Sequence, residues 1–154
     1  MSVNVGDKAP DFTLATDGGG SVTLSKLHGK PVVLYFYPKD DTSGCTAEAC
    51  GFRDSLPDYS ATGATVIGIS KDSVASHDKF KAKYNLPFAL ASDDKGEVVE
   101  KYGVWVEKSM YGRKYMGIDR STFLIDKTGT VRGVWHKVKV PGHVAEVLKA
   151  AKAL

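Results

Sequence analysis

Two runs of apolar residues, at positions 32–37 and 64–70, stand out in the hydrophobic pattern of the chain. Both are rich in β-branched or aromatic residues and lack alternating polar positions, which is typical of strands buried on both faces. Between them, apolar side chains recur at the helical spacing i, i+4, i+7 and i+11, at Cys45, Ala49, Phe52 and Leu56. The pattern predicts a strand, a helix and a second strand, with Cys45 on the inward side of the helix.

Polar residues separate the first strand from this helix. Pro38 ends the strand because proline offers no N–H group to a hydrogen-bond ladder. The residues that follow have side-chain oxygens that can accept from the first free N–H groups of the helix, and they predict its cap: Asp40, Asp41, Thr42 and Ser43. Cys45 then lies in the first turn, where those N–H groups and the helix dipole favour the reactive thiolate. The local pattern therefore predicts a nucleophilic cysteine.

The remaining segments predict a mixed sheet. Turn signals and hydrophobic periods predict a hairpin of residues 9–14 with 21–24, helices at 74–84, 98–102 and 143–154, and strands at 88–92, 121–126 and 131–136. Residues 103–120 contain three glycines and scattered aromatic side chains, which predicts a long loop. A β-α-β unit followed by an antiparallel hairpin indicates an α/β fold, a mixed central sheet with helices on both faces. We expect a single domain over residues 1–154.

Charge and cysteine content narrow the function classes. A net charge of +3, from dispersed lysines and arginines, gives no basis for binding nucleic acid or an anionic membrane. The sequence has no stretch of transmembrane length, and the first residues, MSVNVGDKAPDF, lack the basic and apolar regions of a signal peptide. These features predict a cytoplasmic protein. Two cysteines five positions apart would close only a tiny loop, so thiol chemistry explains them better than a structural disulfide.

Three motifs resemble those of the peroxiredoxins. Pro38-x-x-x-Thr42-x-x-Cys45 is similar to the active-site signature of that family, and the run CTAEACGFRD at 45–54 resembles its Q-type subfamily, the bacterioferritin-comigratory proteins. The segment GIDRSTFLID at 117–126, which contains Arg120, is similar to the second family signature. The resemblance extends from the segment APDF at 9–12 over nearly the whole chain. It implies a thioredoxin-like fold.

The resemblance also implies an activity and the residues that perform it. Cys45 would be the peroxidatic cysteine, which reduces hydrogen peroxide or an organic hydroperoxide and becomes a sulfenic acid. Thr42, Arg120 and backbone N–H groups would donate to the developing negative charge, and Pro38 would shield the sulfur from water. Cys50 would be the resolving cysteine, giving a Cys45–Cys50 disulfide that thioredoxin or a similar dithiol reduces. The resemblance implies no cofactor and no metal, and it favours a monomer.

Helix geometry gives the implied disulfide a structural consequence. Residues five apart in an intact α-helix have Cα atoms roughly 8.6 Å apart, whereas a disulfide needs less than about 7 Å. We therefore expect the first turns of the helix to unwind in each catalytic cycle. Glu48, within those turns, is expected to orient Arg120 or to cap the helix. Ser43 stands where the family usually has proline, which reduces the rigidity of the loop but removes no chemical group.

Other interpretations of these residues remain open. Two ordinary buried cysteines, and a surface salt bridge for Arg120, are the simplest structural alternatives. The histidines have no metal-ligand spacing and are expected to be surface or packing residues: His28, His77, His136 and His143. A thioredoxin-like disulfide reductase or redox sensor would usually carry C-x-x-C, whereas four residues separate these cysteines. A redox-responsive holdase, which binds unfolded proteins without turnover, is the third function class.

Overall fold

A computed structural model describes residues 3–154, so the first two residues of the predicted domain lie outside the described part. The strands are β1 (Thr13–Thr16), β2 (Ser21–Thr23), β3 (Val32–Phe36), β4 (Thr65–Ser70), β5 (Ala89–Ser92), β6 (Trp105–Met110), β7 (Arg113–Ile118), β8 (Ser121–Ile125) and β9 (Val131–Trp135). The helices are α1 (Ser43–Ala61), α2 (Val74–Tyr84), α3 (Glu97–Lys101) and α4 (His143–Lys152). Short 3₁₀ turns follow β1 and β2, at Asp17–Gly19 and Leu24–Leu27.

One sheet of mixed direction forms the centre of the molecule, with strand order β2-β1-β5-β4-β3-β8-β9. β3, β4 and β5 are parallel neighbours because α1 and α2 carry the chain back between them. β8 runs antiparallel to β3 on its other side. Every residue of β3 is buried, since the strand is paired along both edges and covered on both faces. The predicted mixed α/β sheet is confirmed.

Successive side chains of β3 point into two hydrophobic clusters, one on each face of the sheet. Val33 and Tyr35 pack with side chains of α1, α2 and α4. Leu34 and Phe36 pack with α3 and with the N-terminal segment. Helices therefore cover both faces, as the pattern predicts. Cys45 belongs to the first cluster, on the inward side of α1.

Most predicted elements are confirmed with shifts of a few residues at their ends, but the long loop predicted for residues 103–120 is wrong. β6 and β7 pair there as an antiparallel hairpin that forms a two-stranded sheet of its own. Tyr111 and Gly112 make its turn with positive φ angles of 52° and 78°, as a type I′ turn requires. Most side chains of the hairpin are exposed or only half-buried. The strands therefore lack the apolar-polar alternation that marks a strand packed on a core.

The carboxyl end of β3 leads through a short loop directly into α1. Cys45 therefore lies at the carboxyl edge of a parallel β-α-β unit, where open α/β sheets usually place their ligands. Within residues 3–154, no helix has both the length and the apolar character needed to cross a membrane.

Candidate active site

Cys45 lies in the first turn of α1, and 1% of its surface is exposed. The helix begins at Ser43, and Thr42 before it has the extended backbone of an N-cap residue. The first N–H groups of a helix have no carbonyl partner within it, so they and the helix dipole stabilise negative charge nearby. The sulfur therefore combines burial with a positive electrostatic environment, at the position that the sequence pattern predicts.

Arg120 reaches this sulfur from the connection between β7 and β8. Its Nη2 atom donates to Sγ of Cys45 at 3.2 Å, and its Nη1 atom donates to Oε1 of Glu48 at 2.7 Å. The Arg120 side chain is 15% exposed, and Glu48 is completely buried. Gly44 permits the close approach, because an added Cβ atom there would lie 3.1 Å from Nη2. Cys45, Arg120 and Glu48 thus form a connected, mostly buried row of hydrogen-bonding groups.

Burial and charge act in opposite directions on the ionisable members of this row. Burial would lower the pKa of Arg120, but the Glu48 and Cys45 side chains raise it above its ordinary value, so the guanidinium stays charged. Burial raises the pKa of Glu48 to about 7, although Arg120 opposes this shift. Oε2 of Glu48 is buried without a hydrogen-bond partner among the described residues. Glu48 therefore changes protonation near neutral pH, beside the guanidinium that contacts the cysteine.

The loop before α1 does not cap the helix as predicted. The Thr42 hydroxyl donates to the carbonyl oxygen of Lys39 at 3.0 Å and makes no capping hydrogen bond. Asp40 and Asp41 bond instead to side chains outside the helix: Tyr37, Ser76 and His77 for the first, Lys83 and Tyr84 for the second. These bonds occupy both carboxylates away from the free N–H groups of α1, so the capping prediction is wrong. Among the described side chains, Arg120 is the one that hydrogen-bonds to the Cys45 sulfur.

Pro38 is exposed and lines a cleft of about 380 Å³ between the loop and the β6–β7 hairpin. The apolar part of its lining comes from the hairpin: Trp105, Tyr115, Met116 and Ile118. Lys71 and Lys108 also line the cleft, and Nζ of Lys71 lies 4.1 Å from the ring centroid of Trp105. The cleft combines apolar walls with positive charge next to the loop that carries Thr42.

Cys50 is half-buried on the same helix, and both cysteine thiols are free. Since both residues lie in continuous helical backbone, their Cα atoms have the separation of roughly 8.6 Å that five helical steps impose. A disulfide cannot form across that distance. The structure therefore shows the reduced protein, with α1 intact.

Known proteins are similar to this sequence over nearly its full length. The model of the AhpC/TSA family matches residues 5–134. A Coxiella burnetii relative, bcp, is 61% identical over 148 residues, which are 96% of this chain and 98% of the relative. Peroxiredoxin Bcp of Bacillus subtilis is 53% identical over 152 residues, which are 99% of this chain and 97% of the relative. The chain belongs to the AhpC/TSA family.

A solved structure shows the same relationship at the level of the fold. The bacterioferritin comigratory protein of Xanthomonas campestris, studied for its alkyl peroxide reduction activity, matches with a TM-score of 0.90 at 43% identity. The match covers 98% of this chain and 96% of that chain. The resemblance to the Q-type, bacterioferritin-comigratory peroxiredoxins and the thioredoxin-like fold are confirmed. The chain is a peroxidase of this family, which implies a hydroperoxide substrate and a thiol reductant.

Sequence reasoning missed the contact between two residues of this peroxiredoxin, Asp40 and His77. It assigned Asp40 to the helix cap and His77 to a surface or packing role. His77 is completely buried, and its Nδ1 atom lies 2.7 Å from Oδ2 of Asp40. A signal was present in α2, because His77 precedes the buried Phe80 by three positions and so shares its inward face. The sequence could not identify Asp40 as the partner of His77, since Asp40 lies in a different part of the chain.

Proposed function

We propose that the Cys45 thiolate attacks one oxygen of a hydroperoxide. An S–O bond forms as the O–O bond breaks, which leaves a sulfenic acid on Cys45 and releases water or an alcohol once the leaving oxygen takes up a proton. The observation that carries this proposal is the 3.2 Å contact between Nη2 of Arg120 and the buried sulfur. A positive guanidinium in contact with a cysteine favours the thiolate over the thiol.

Negative charge spreads over the sulfur and both peroxide oxygens in the transition state. Arg120 is suited to stabilise that charge because it carries several donors in a rigid fork and is already oriented by Glu48. The Thr42 hydroxyl has committed its proton to Lys39, so it is assigned to accept a hydrogen bond from the hydroperoxide O–H. This acceptor role differs from the donor role expected from the sequence. Pro38 is assigned to shield the sulfur from water.

Cys50 is proposed to resolve the sulfenic acid. Its thiolate attacks the Cys45 sulfur, an S–S bond forms as the S–O bond breaks, and the sulfenic oxygen leaves as hydroxide, which takes up a proton to become water. The free thiol of Cys50 on the same helix supports this assignment. Because the intact helix holds the two residues too far apart, the first turns of α1 must unwind, at a cost of a few kcal/mol, about that of a local opening.

Thioredoxin is proposed as the dithiol that restores both thiols, with hydrogen peroxide and organic hydroperoxides as substrates. The apolar cleft beside Pro38 supports the organic substrates. A cytoplasmic location fits chemistry that needs reduced thiols. Both cysteines belong to one chain, so a monomer is sufficient for the cycle. That monomer is proposed to be a single domain of residues 1–154. Dispersed positive charge supports the absence of nucleic-acid and membrane partners.

The test is hydroperoxide-dependent NADPH oxidation in the presence of thioredoxin and thioredoxin reductase, for wild type, Cys45→Ser and Cys50→Ser. We expect turnover by the wild type and none by Cys45→Ser. Cys50→Ser should consume one equivalent of peroxide and then recycle poorly. Turnover by Cys45→Ser would contradict the proposal. Insulin-disulfide reduction without peroxide loss would indicate a disulfide reductase, and client protection that survives Cys45→Ser would indicate a holdase.

A further inference from the structure

A buried ion pair lies behind the active-site loop, outside the contacts used in the proposed mechanism. His77 on α2 has no exposed surface, and Asp40, in the loop between β3 and α1, is 8% exposed. Nδ1 of His77 lies 2.7 Å from Oδ2 of Asp40, and Nε2 lies 3.0 Å from the carbonyl oxygen of Ala91 on β5. His77 therefore connects the loop that carries Pro38 and Thr42 to the central sheet.

Both ring nitrogens of His77 face hydrogen-bond acceptors, so the ring satisfies both only as an imidazolium, with a proton on each nitrogen. Burial alone would lower the pKa of His77, but the hydrogen bond and the charge of Asp40 outweigh burial and raise it. Asp72 acts in the same direction. Deprotonation would leave one proton for two acceptors, so one of the two contacts would be lost.

Asp40 is held by three further contacts. The Tyr37 hydroxyl donates to its Oδ1 atom at 2.5 Å, and the Ser76 hydroxyl donates to its Oδ2 atom at 2.8 Å. The backbone N–H of Asp40 donates to Oδ2 of Asp72 at 2.8 Å. Tyr37 follows β3, Ser76 belongs to α2 and Asp72 follows β4. The loop is thus fixed to three elements at a single residue.

The titratable groups facing His77 are Asp40 from the loop, Asp72 from the end of β4 and Tyr37 from the end of β3. Lys81, one turn farther along α2, is paired with Asp17 at 2.6 Å. Asp40, Asp72 and His77 have potential metal-ligand atoms within 4.8 Å of one another. An imidazolium has no free nitrogen lone pair for a metal, so the hydrogen bonds identify this cluster as an ion-pair network.

We propose that His77 is a positioning residue of the peroxidase, which fixes, through Asp40, the loop that presents Pro38 and Thr42 beside Cys45. The inference rests on the proposed mechanism, in which Thr42 accepts a hydrogen bond from the hydroperoxide and Pro38 shields the sulfur from water. His77 itself does not touch the substrate. A displacement of about 1 Å in such a loop can slow a reaction by up to about 100-fold.

The same contacts divide the active-site segment into two parts. Residues 38–41 are held by bonds to the sheet and to α2, where Lys83 and Tyr84 also bond to Asp41. Residues 43–50 must leave helical backbone when the disulfide forms. The loop of residues 38–41 therefore stays in place while the helix after Thr42 unwinds. When the disulfide is reduced, residues 43–50 fold back against this fixed loop.

The kinetic test measures the pre-steady-state rate constant for Cys45 oxidation by hydrogen peroxide across pH. The variants are His77→Gln and, as a matched control, His28→Gln, since His28 is exposed ahead of β3. His77→Gln should lower the rate constant about 10- to 100-fold. It should also remove the part of the fall in rate with rising pH that comes from deprotonation of His77, and leave the part that comes from Glu48. The control should keep the wild-type rate and pH profile.

A wild-type rate and pH profile in His77→Gln would overturn the inference, whereas a wild type that shows no Cys45 oxidation would overturn the proposed function instead. If His77→Gln fails to fold, Ser76→Ala takes its place, because it removes one donor to Asp40 without leaving a buried charge unpaired. Ser76→Ala should lower the rate constant several-fold. An unchanged rate constant in this variant would equally overturn the inference.

Hydrogen exchange tests directly whether residues 38–41 stay fixed. The amide of Thr46, which bonds to the carbonyl of Thr42 at 2.8 Å in the reduced protein, should lose protection when the disulfide forms. The amide of Asp40 should stay protected in both redox states. Loss of protection at Asp40 together with Thr46 would show that the loop unwinds with the helix, which contradicts the positioning role.

Discussion

Glu48 controls how the charges next to Cys45 respond to pH. As a carboxylate it neutralises part of the Arg120 charge, and as a carboxylic acid it leaves the full guanidinium charge beside the sulfur, where the proposed mechanism uses it on the peroxide oxygens. Burial raises the pKa of Glu48 to about 7, so both forms exist in the physiological range. The sequence allowed only that Glu48 orients Arg120 or caps the helix, and the 2.7 Å contact supports the first choice.

The raised pKa of Glu48 predicts a specific pH dependence of stability. The ordinary value is 4.5 and the folded value about 7, so the unfolded chain releases this proton at lower pH than the folded one. Stability therefore falls as pH rises between these values, by about 3 kcal/mol at about 1.4 kcal/mol per pKa unit. Glu48→Gln lacks this loss. The measurement is urea unfolding of the reduced proteins at about pH 4.5 and about pH 8. Between these two pH values, the free energy of unfolding of Glu48→Gln relative to wild type should rise by that amount. A difference that does not change with pH would contradict the assignment.

Residues of the site differ in how far the sequence could identify them. Cys45 could be identified from helical spacing and local polarity, because both are properties of a short stretch. The buried ion pair that Asp40 forms with His77 could not be identified from the sequence. A short acidic side chain before a helix predicts a cap, and only the packing of α2 supplies the histidine that competes for it.

Among the secondary-structure elements, α1 carries both cysteines, and in the proposed cycle it presents the nucleophile and also unwinds. Its first residue, Ser43, stands where the family usually has proline. Proline is well tolerated at the first helical position because its missing N–H group needs no partner there. Thr42 has φ −90° and ψ 157°, the extended backbone that a residue before proline adopts.

We therefore expect Ser43→Pro to raise the free energy of unfolding of the reduced protein by about 0.5–1 kcal/mol, because proline restricts the unfolded chain. Urea unfolding under reducing conditions measures the effect, with Ser43→Ala as the control for loss of the hydroxyl. A loss of stability in Ser43→Pro that Ser43→Ala does not share would show that the backbone at this position is not compatible with proline.

The elements that the sequence predicted share one property, burial against the core. β3 follows from a continuous apolar run because both of its faces are covered, and α2 follows from a helical period because one of its faces is covered. β6 and β7 are mostly exposed, so no such period exists, and their glycines and charges resemble a loop. Gly112 is a turn signal, but Tyr111 before it is not among the residues that type I′ turns favour, so the pair does not identify a hairpin.

At the scale of the whole molecule, the site depends on a contact that spans 75 positions of sequence, from Cys45 to Arg120. β8 begins directly after Arg120 and pairs antiparallel with β3, with Ser121 opposite Phe36. This register brings Arg120 to the carboxyl end of β3, where α1 starts. Periodicity cannot predict such a pairing, so before the structure only the family resemblance joined the two residues.

The most direct test of the account is the pre-steady-state rate constant for Cys45 oxidation by hydrogen peroxide in Arg120→Lys. Lysine keeps the charge but loses the fork that contacts Cys45 and Glu48 together. The rate constant should fall about 100- to 1000-fold, as when a transition-state donor is removed. Arg132→Lys, at an exposed position with 53% of its side chain accessible, should retain the wild-type value. An unchanged rate constant in a folded Arg120→Lys variant would contradict the claim that Arg120 activates Cys45.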